Sequence, residues 1–302
     1  MKEDLEKAHQ EIDFYSDVDD EECLIKFCSY FTLYQKGSLY EKPEEHLNFY
    51  QQGIDLIRPH ATFFDVDGKW KYKKIRKDTF DLFPFWVSKN EDKPYGIRIE
   101  AGRFPEEVSE YAFQFSDETY IRFVLPIEFL FQSPDSFVEL VKKTVGNFEF
   151  YSGHAGIGTN THHNLPGADP DLTPIYALSR RYRGVDWGFP QYFGDLSEFG
   201  IKGVNWLTLV GEEWVEQLGG IDSIKKNFSA SIVVHELPHG ILIQAGPRPE
   251  LGYVNSEETL PLYHEVGAAL QPLRIPDEHL TTSKVGGYEN TRAWLDRFYP
   301  DY

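Results

Sequence analysis

The sequence lacks several features that would place it in particular classes of protein. Its 302 residues include one methionine and two cysteines, and no apolar run approaches the ~18 residues of a membrane-spanning helix. Cys23 and Cys28 cannot form a disulfide framework, and we expect two free thiols on or beside a helix. Residues 1–10 alternate Lys and Glu without an apolar core, so no secretory signal is expected. These observations predict a cytoplasmic chain.

Basic residues are also scarce relative to acidic ones. The chain has 30 Lys+Arg against 49 Asp+Glu, a formal net charge of −19 and a sequence pI of about 4.9. Binding to nucleic acid or to an anionic membrane requires a cationic surface, so neither partner is expected. Aromatic residues make up 16% of the chain. Exposed rings beside carboxylates would form a face suited to a basic protein partner.

Hydrophobic periodicity predicts an α+β fold, with mostly antiparallel sheets and helices packed on one face. The predicted helices span Pro43–Arg58, Pro134–Lys143, Leu172–Arg183, Glu212–Leu218, Ile221–Asn227, Leu262–Leu270 and Thr291–Phe298. The predicted strands span Phe83–Ser88, Tyr95–Ala101, Ala112–Phe115, Tyr120–Phe131, Phe148–Ile157 and Val204–Leu209, with hairpins over Ala61–Ile75 and Ser231–Ala245. An acidic segment, residues 1–40, precedes a single domain, residues 41–302, which could divide into two similar subdomains near residue 146.

One segment, His235-Glu236-Leu237-Pro238-His239, matches the H-E-x-x-H pattern of zinc hydrolases. In those enzymes a helix places both histidines on one face as zinc ligands, and the glutamate is the general base. Pro238 would disrupt such a helix by ~3 kcal/mol, and β-branched residues flank the segment on both sides. A hairpin that turns over Leu237–Gly240 is therefore favoured. A zinc-dependent hydrolase, with His264 as a third ligand, is the alternative function.

Other motifs give weaker support for catalysis. The glycine-rich run around His154, followed by His162 and His163, lacks the lysine of a P-loop and a carboxylate at ligand spacing. The segment that begins at Asp65 resembles a calcium loop, but Arg76 stands where a bidentate glutamate is required. We therefore expect no cofactor, no metal and no catalytic residue, and a chain that is not an enzyme.

A long, ordered set of motifs occupies the second half of the sequence. Its segments are Val185–Gly188, Gly200–Thr208, Leu218–Gly220, Ile243–Pro249, Gly252–Asn255 and Leu260–Tyr263, followed by the pair Trp294-Leu295. Together they resemble the bacterial type VI secretion immunity family paired with VRR-Nuc nuclease effectors. The resemblance implies a protein that binds and neutralises a DNA-degrading toxin delivered by neighbouring cells. A structural adaptor of the secretion machinery is a third possibility.

Within these motifs, ten residues are expected to be structural rather than to contact the toxin. They are Asp186, Trp187, Gly188, Gly203, Asn205, Trp206, Gly219, Gly220, Gly246 and Arg248. The glycines are interpreted as turns and the tryptophans as core, whereas Asn205 and Arg248 would tie loops by hydrogen bonds.

The predicted contacts with the toxin lie in more acidic and aromatic stretches. They are Asp17, Asp19, Asp20, Glu21, Glu22, Phe104, Glu106, Glu107, Glu110 and Tyr111. A nuclease needs a cationic groove for DNA, and an inhibitor with a charge of −19 complements it. The expected mechanism is occlusion of the DNA-binding surface of the toxin.

Overall fold

A computed structural model describes residues 14–15, 23–37, 41–66, 73–89, 97–101, 112–115, 120–161, 173–187, 190–256, 259–280 and 287–300. Its strands are β1 (Phe14–Tyr15), β2 (Cys23–Gln35), β3 (Ala61–Val66), β4 (Lys73–Lys74), β5 (Ile97–Ala101), β6 (Ala112–Phe115), β7 (Tyr120–Pro126), β8 (Phe150–Thr161), β9 (Leu207–Gly211), β10 (Ile232–Leu237) and β11 (Gly240–Ala245). Its helices are α1 (Pro43–Ile57), α2 (Leu82–Lys89), α3 (Ile127–Gln132), α4 (Pro134–Val145), α5 (Thr173–Arg181), α6 (Glu212–Gln217), α7 (Ile221–Lys226), α8 (Pro261–Leu270) and α9 (Tyr288–Leu295). Among these helices, none is long and apolar enough to cross a membrane.

The strands form one sheet in the order β10-β11-β9-β8-β2-β7-β6-β5-β3-β4, with β1 also paired to β2. Neighbouring strands along this path run antiparallel. The predicted α+β class with antiparallel strands is therefore confirmed. Because β2 pairs with β7 on one side and β8 on the other, it joins the part of the sheet that contains β3–β7 to the part that contains β8–β11.

Strand β2 lies within the acidic segment, residues 1–40. It contains both Cys23 and Cys28. The cysteines therefore lie on a strand and not on a helix, and the Cys28 thiol is free, as predicted. Burial raises the pKa of the Cys28 thiol to about 12, so this thiol stays protonated at neutral pH.

The core lies against both faces of β2, since every residue from Phe27 to Gln35 is buried. On one face, Phe31 packs against Phe123 of β7, and Phe123 in turn meets Phe137 of α4. Tyr30 points to the opposite face because side chains alternate along a strand. Burial of each large aromatic side chain contributes roughly 1.5–3 kcal/mol to stability.

One strand prediction is wrong and another extends too far, and prolines stand at both places. Residues 83–88 lie in helix α2, where Pro84 occupies the first turn and is tolerated there. The predicted strand Tyr120–Phe131 ends at Pro126, which has a φ of −52° and is the N-cap residue of α3. A short apolar run fits a buried strand or a buried helix equally well, so periodicity could not separate them.

The other predicted helices and strands are confirmed, with their ends shifted. The tip of the hairpin over Ala61–Ile75 falls outside the described residues. Ser133, the residue before α4, makes no capping bond to the backbone of that helix, and its hydroxyl donates to Ser136 Oγ at 2.6 Å.

Candidate partner-binding surface

The H-E-x-x-H segment forms a hairpin, as predicted. Strand β10 ends at Leu237 and β11 begins at Gly240. His235 Nε2 lies 3.0 Å from Gln244 Oε1 of the neighbouring strand. Glu236 accepts a hydrogen bond from Lys225 Nζ at 2.7 Å. These two side chains therefore have local partners, and the helix that the zinc motif requires is replaced by a strand and a turn.

His264, the third ligand of the hydrolase hypothesis, lies on α8 and packs edge-on against Phe298 at 5.3 Å between ring centroids. Within the part of the chain that the structure describes, no group of three or more His, Cys, Asp or Glu side chains could hold a metal ion.

The conspicuous charged pair of the interior is Asp186 with Lys202. Lys202 Nζ donates to both carboxylate oxygens, at 2.7 and 2.9 Å, and both side chains are almost fully buried. Burial acts to raise the pKa of the Asp186 carboxyl, but the Lys202 ammonium, His154 and the hydrogen bond from Tyr30 together outweigh it and hold that pKa well below its usual value. Burial lowers the pKa of Lys202. The pair is thus charged and desolvated.

Several predicted structural residues lie around this ion pair. Asn205 Nδ2 donates to the Tyr30 hydroxyl at 2.6 Å, and Asn205 Oδ1 accepts from the Trp206 backbone N–H at 2.8 Å. Trp206 Nε1 donates to the Gly246 carbonyl at 3.0 Å. The Gly203 carbonyl accepts from His154 Nε2 at 2.9 Å. This network ties β2 to the segment that leads into β9.

The remaining members of the predicted structural set occupy different places. Trp187 is buried against Trp294, with ring centroids 4.4 Å apart. Gly219 and Gly220 link α6 to α7 with φ values of 85° and 89°, a conformation that favours glycine. Arg248 is exposed, and Gly188 falls outside the described residues. That this set is structural rather than part of the interface stays a prediction.

All ten predicted contact residues fall outside the described residues. Asp17, Asp19, Asp20, Glu21 and Glu22 lie within 16–22, and Phe104, Glu106, Glu107, Glu110 and Tyr111 lie within 102–111. Their contact with a partner stays a prediction.

A different group of carboxylates converges at one end of the sheet, where β2 and β9 finish and β8 and β11 begin. Gln35 pairs with Phe150 there, and Gly211 pairs with Gly240. The backbone N–H of Lys36 donates to the Glu149 carbonyl at 2.9 Å. We call this surface the acidic end; its carboxylates are Glu41, Glu44, Glu45, Glu149, Glu198, Glu212 and Glu213.

Two lysines lie within the acidic end and are already paired. Lys36 Nζ is 2.7 Å from Glu213, and Lys42 Nζ is 2.8 Å from Glu149. The bond to Lys42 lowers the pKa of Glu149, whereas burial, and to a smaller degree Glu149, raises the pKa of Glu45. The carboxylates outnumber the two lysines, so the surface keeps a negative charge.

An aromatic ring is set among these charges. Tyr151, the second residue of β8, is half-buried and its hydroxyl donates to Glu198 at 3.3 Å. Lys36 Nζ lies 5.0 Å from the centroid of the Tyr151 ring. Carboxylates around a partly exposed ring can receive cationic side chains and offer them an apolar surface. No local pattern indicates this surface, because its members are distributed from residue 41 to residue 213.

The family model described as TsiV, type VI immunity for VRR-NUC, matches residues 44–298. The chain belongs to the TsiV family. The resemblance drawn from the motifs of the second half is therefore confirmed. Among solved structures, the Pseudomonas aeruginosa T6SS protein PA0821 superimposes with a TM-score of 0.79, covering 93% of this chain and 84% of that chain. At 20% sequence identity, this likeness shows a shared fold. No curated protein sequence matches the chain.

The TsiV match includes most of the acidic end and all of the buried network except Tyr30. It begins at residue 44, after β2 and Glu41. The central strand of the sheet therefore precedes the matched segment, although its side chains complete the core around the TsiV motifs.

Proposed function

We propose that this TsiV-family chain binds a cognate VRR-Nuc effector in the cytoplasm and blocks the surface with which the effector binds DNA. It would act by binding alone, without chemistry of its own. The observation that carries the proposal is the acidic end together with the net charge of −19. A nuclease must neutralise DNA phosphates with a cationic groove. A surface of carboxylates is the electrostatic complement of such a groove.

The ion pairs of the acidic end indicate how its carboxylates would exchange their lysines for cationic side chains of the effector. Lys36–Glu213 and Lys42–Glu149 are partly exposed pairs, and pairs of this kind contribute only ~0–1 kcal/mol each. Glu149 and Glu213 can therefore release their lysines at little cost. Arginine side chains of the effector would bind the freed carboxylates through charge-assisted, two-pronged hydrogen bonds. Tyr151 would cover the apolar part of such side chains.

Long-range attraction supports the same mechanism. Complementary fields raise association rate constants to as much as ~10⁸–10⁹ M⁻¹s⁻¹ at low salt. Fast binding would matter for a protein that meets a toxin already within reach of DNA. The segments 17–22 and 102–111 are proposed to extend the contact, with carboxylates beside Phe104 and Tyr111.

The first experiment is survival of susceptible cells that produce the cognate VRR-Nuc effector, with and without this chain, together with co-purification of the two proteins. Rescue with a stable complex is expected. In the purified system, added DNA should raise the amount of this chain needed to stop cleavage, because the two compete for one surface. Inhibition that is independent of DNA concentration would contradict occlusion.

The location of the surface is tested by a matched pair of charge reversals. Glu149→Lys/Glu213→Lys changes the acidic end, and Glu128→Lys/Asp135→Lys changes the net charge equally on exposed positions of α3 and α4. We expect the first variant to associate at least about tenfold more slowly at low salt and with a flatter salt dependence. Equal slowing in both variants would mean that only the total charge matters and would exclude the acidic end as the interface.

A further inference from the structure

A cationic pocket lies on this acidic protein, away from the acidic end. It is enclosed by the end of α5, by helix α9 and by the short 3-10 turn Val254–Ser256, and α5 packs against the other two. Its volume is about 560 Å³. Arg180, Arg183 and Arg297 line it together with Ser179 and Asn290, and none of the lining residues that the structure describes is acidic.

Arg297 is the fixed cation of this pocket. Its Nε donates to the Arg183 carbonyl at 2.7 Å, its Nη1 to the Trp294 carbonyl at 2.9 Å and its Nη2 to the Val204 carbonyl at 3.4 Å. These acceptors are neutral and leave the charge of the guanidinium in place. Burial lowers the pKa of Arg297 to about 10, so the group remains protonated at neutral pH.

Arg180 and Arg183 bring two further guanidinium groups to the pocket, and both side chains are exposed. Arg180 lies in the last turn of α5, where a cation also interacts favourably with the helix dipole. That effect does not account for Arg183, which lies beyond the helix, or for Arg297, which follows α9. Two cations at the end of α5 and one after α9 concentrate positive potential in one cavity.

The wall of the pocket is apolar. Val254 and Ala293 line it, and behind them the Arg297 guanidinium stacks on the buried ring of Trp294 at 3.9 Å from the centroid. A cavity of this size with an apolar wall and a few polar groups is typical of a small-molecule site. Guanidinium groups match the oxygen geometry of phosphate and carboxylate.

We propose that this pocket binds a small organic oxyanion, a phosphate or carboxylate attached to an apolar group. Arg180 and Arg183 bind the oxygens at the mouth, Arg297 supplies fixed positive charge behind them, and Val254 and Ala293 contact the apolar group. The proposal does not rest on the proposed function. Asp186, three residues after Arg183, bridges to Gly158, seven residues along β8 from Tyr151 of the acidic end. At ~3.3 Å per residue, Gly158 and Tyr151 are about 23 Å apart along the strand, so the pocket and the acidic end lie towards different ends of β8.

The test is calorimetric titration of the full chain with four probes: phenyl phosphate, benzoate, inorganic phosphate and neutral benzyl alcohol. We expect saturable binding of phenyl phosphate or benzoate at millimolar concentration or below, and the tighter of the two identifies the oxyanion. Inorganic phosphate should bind more weakly, because it has no apolar group. Absence of saturable binding by both organic anions, or equal binding of benzyl alcohol, would overturn the proposal.

Two double variants locate the binding. Arg180→Gln/Arg183→Gln should raise the Kd of the preferred probe at least about tenfold, since each lost charge-assisted bond is worth ~1.5–3 kcal/mol. Arg58→Gln/Arg248→Gln removes the same charge from exposed positions elsewhere and should leave the Kd unchanged. Equal weakening in both would show a response to total charge and overturn the site. The first variant should still protect cells against the effector, and loss of protection by the folded variant would assign the pocket to the effector interface instead.

Discussion

Two regions of this molecule use the same ion-pair chemistry in opposite surroundings. Lys202 and Asp186 lie 2.7 Å apart in the interior, and Lys36 and Glu213 lie at the same distance at the acidic end. The interior pair is almost completely withdrawn from water, whereas the Glu213 side chain is 68% exposed. Desolvation makes the interior pair costly to separate, and hydration makes the surface pair easy to separate. Distance alone therefore says little about what an ion pair does.

The interior pair and the surface pairs therefore have different roles in the protein. The interior pair fixes how the segment around residue 186 meets the loop before β9, because neither charge tolerates the loss of its partner. The surface pairs hold the carboxylates of the acidic end in place and, under the proposed function, leave them available to an effector. Mutations in the two regions should accordingly change different measured quantities.

Removal of the interior anion should have the largest effect. Asp186→Asn leaves the Lys202 ammonium buried without a counter-charge, and breaking a buried pair in this way costs roughly 3–5 kcal/mol. Urea unfolding should show this loss as a lower midpoint with an unchanged slope. The double variant Asp186→Asn/Lys202→Met should recover part of the stability. A loss below about 1 kcal/mol in the single variant would contradict the importance of the pair.

Acidification should weaken the fold through two buried histidines, His154 beside the interior ion pair and His46 on α1. Burial lowers the pKa of both His46 and His154 from 6.5 to about 4. His154 Nδ1 is buried without a hydrogen-bond partner, so protonation there would add an unsatisfied donor. The unfolded chain binds protons between about pH 6.5 and pH 4 that the folded chain does not. The free energy of unfolding should therefore fall as the pH falls through this window, by up to ~3 kcal/mol for each histidine.

Urea unfolding at a series of pH values through this window measures the slope. His154→Gln should make the dependence shallower, whatever it does to stability at neutral pH, because one of the buried histidines that titrate in this window is gone. A stability that stays constant through the window would show that these histidines titrate normally in the folded protein.

The sequence predicts the second half of the fold better than the first. Hairpin β10–β11 is predictable because Pro238 excludes the helix that the H-E-x-x-H pattern otherwise suggests. Strand β2 is missed because it is buried on both faces and shows no alternation of polar and apolar residues. The acidic stretch before it also gives that part of the chain the appearance of a solvated segment.

The candidate surface is harder to predict than the fold. Glu149 and Glu213 lie in different segments and become neighbours only because β8 and β9 pair in the sheet. The arginine pocket has the same character, since Arg183 and Arg297 meet through tertiary packing. Sequence periodicity indicates which residues share a face of one helix or strand. A site assembled from distant elements has no such period in the sequence.

Of these changes, removal of the surface anions should have the smallest effect on stability. Glu149→Gln/Glu213→Gln removes the partner anions of Lys42 and Lys36, whose side chains are 23% and 21% exposed, and each lost pair of this partly exposed kind costs no more than ~1 kcal/mol. Even this cost should shrink at high salt, because exposed charges are screened. The same variant should bind the effector more slowly, with the difference from the unmodified chain also narrowing as salt rises. Urea unfolding and stopped-flow association at two salt concentrations measure both quantities on the same preparation. A large loss of stability with an unchanged association rate would contradict this assignment. The surface pairs would then stabilise the fold and would not belong to the effector-binding surface.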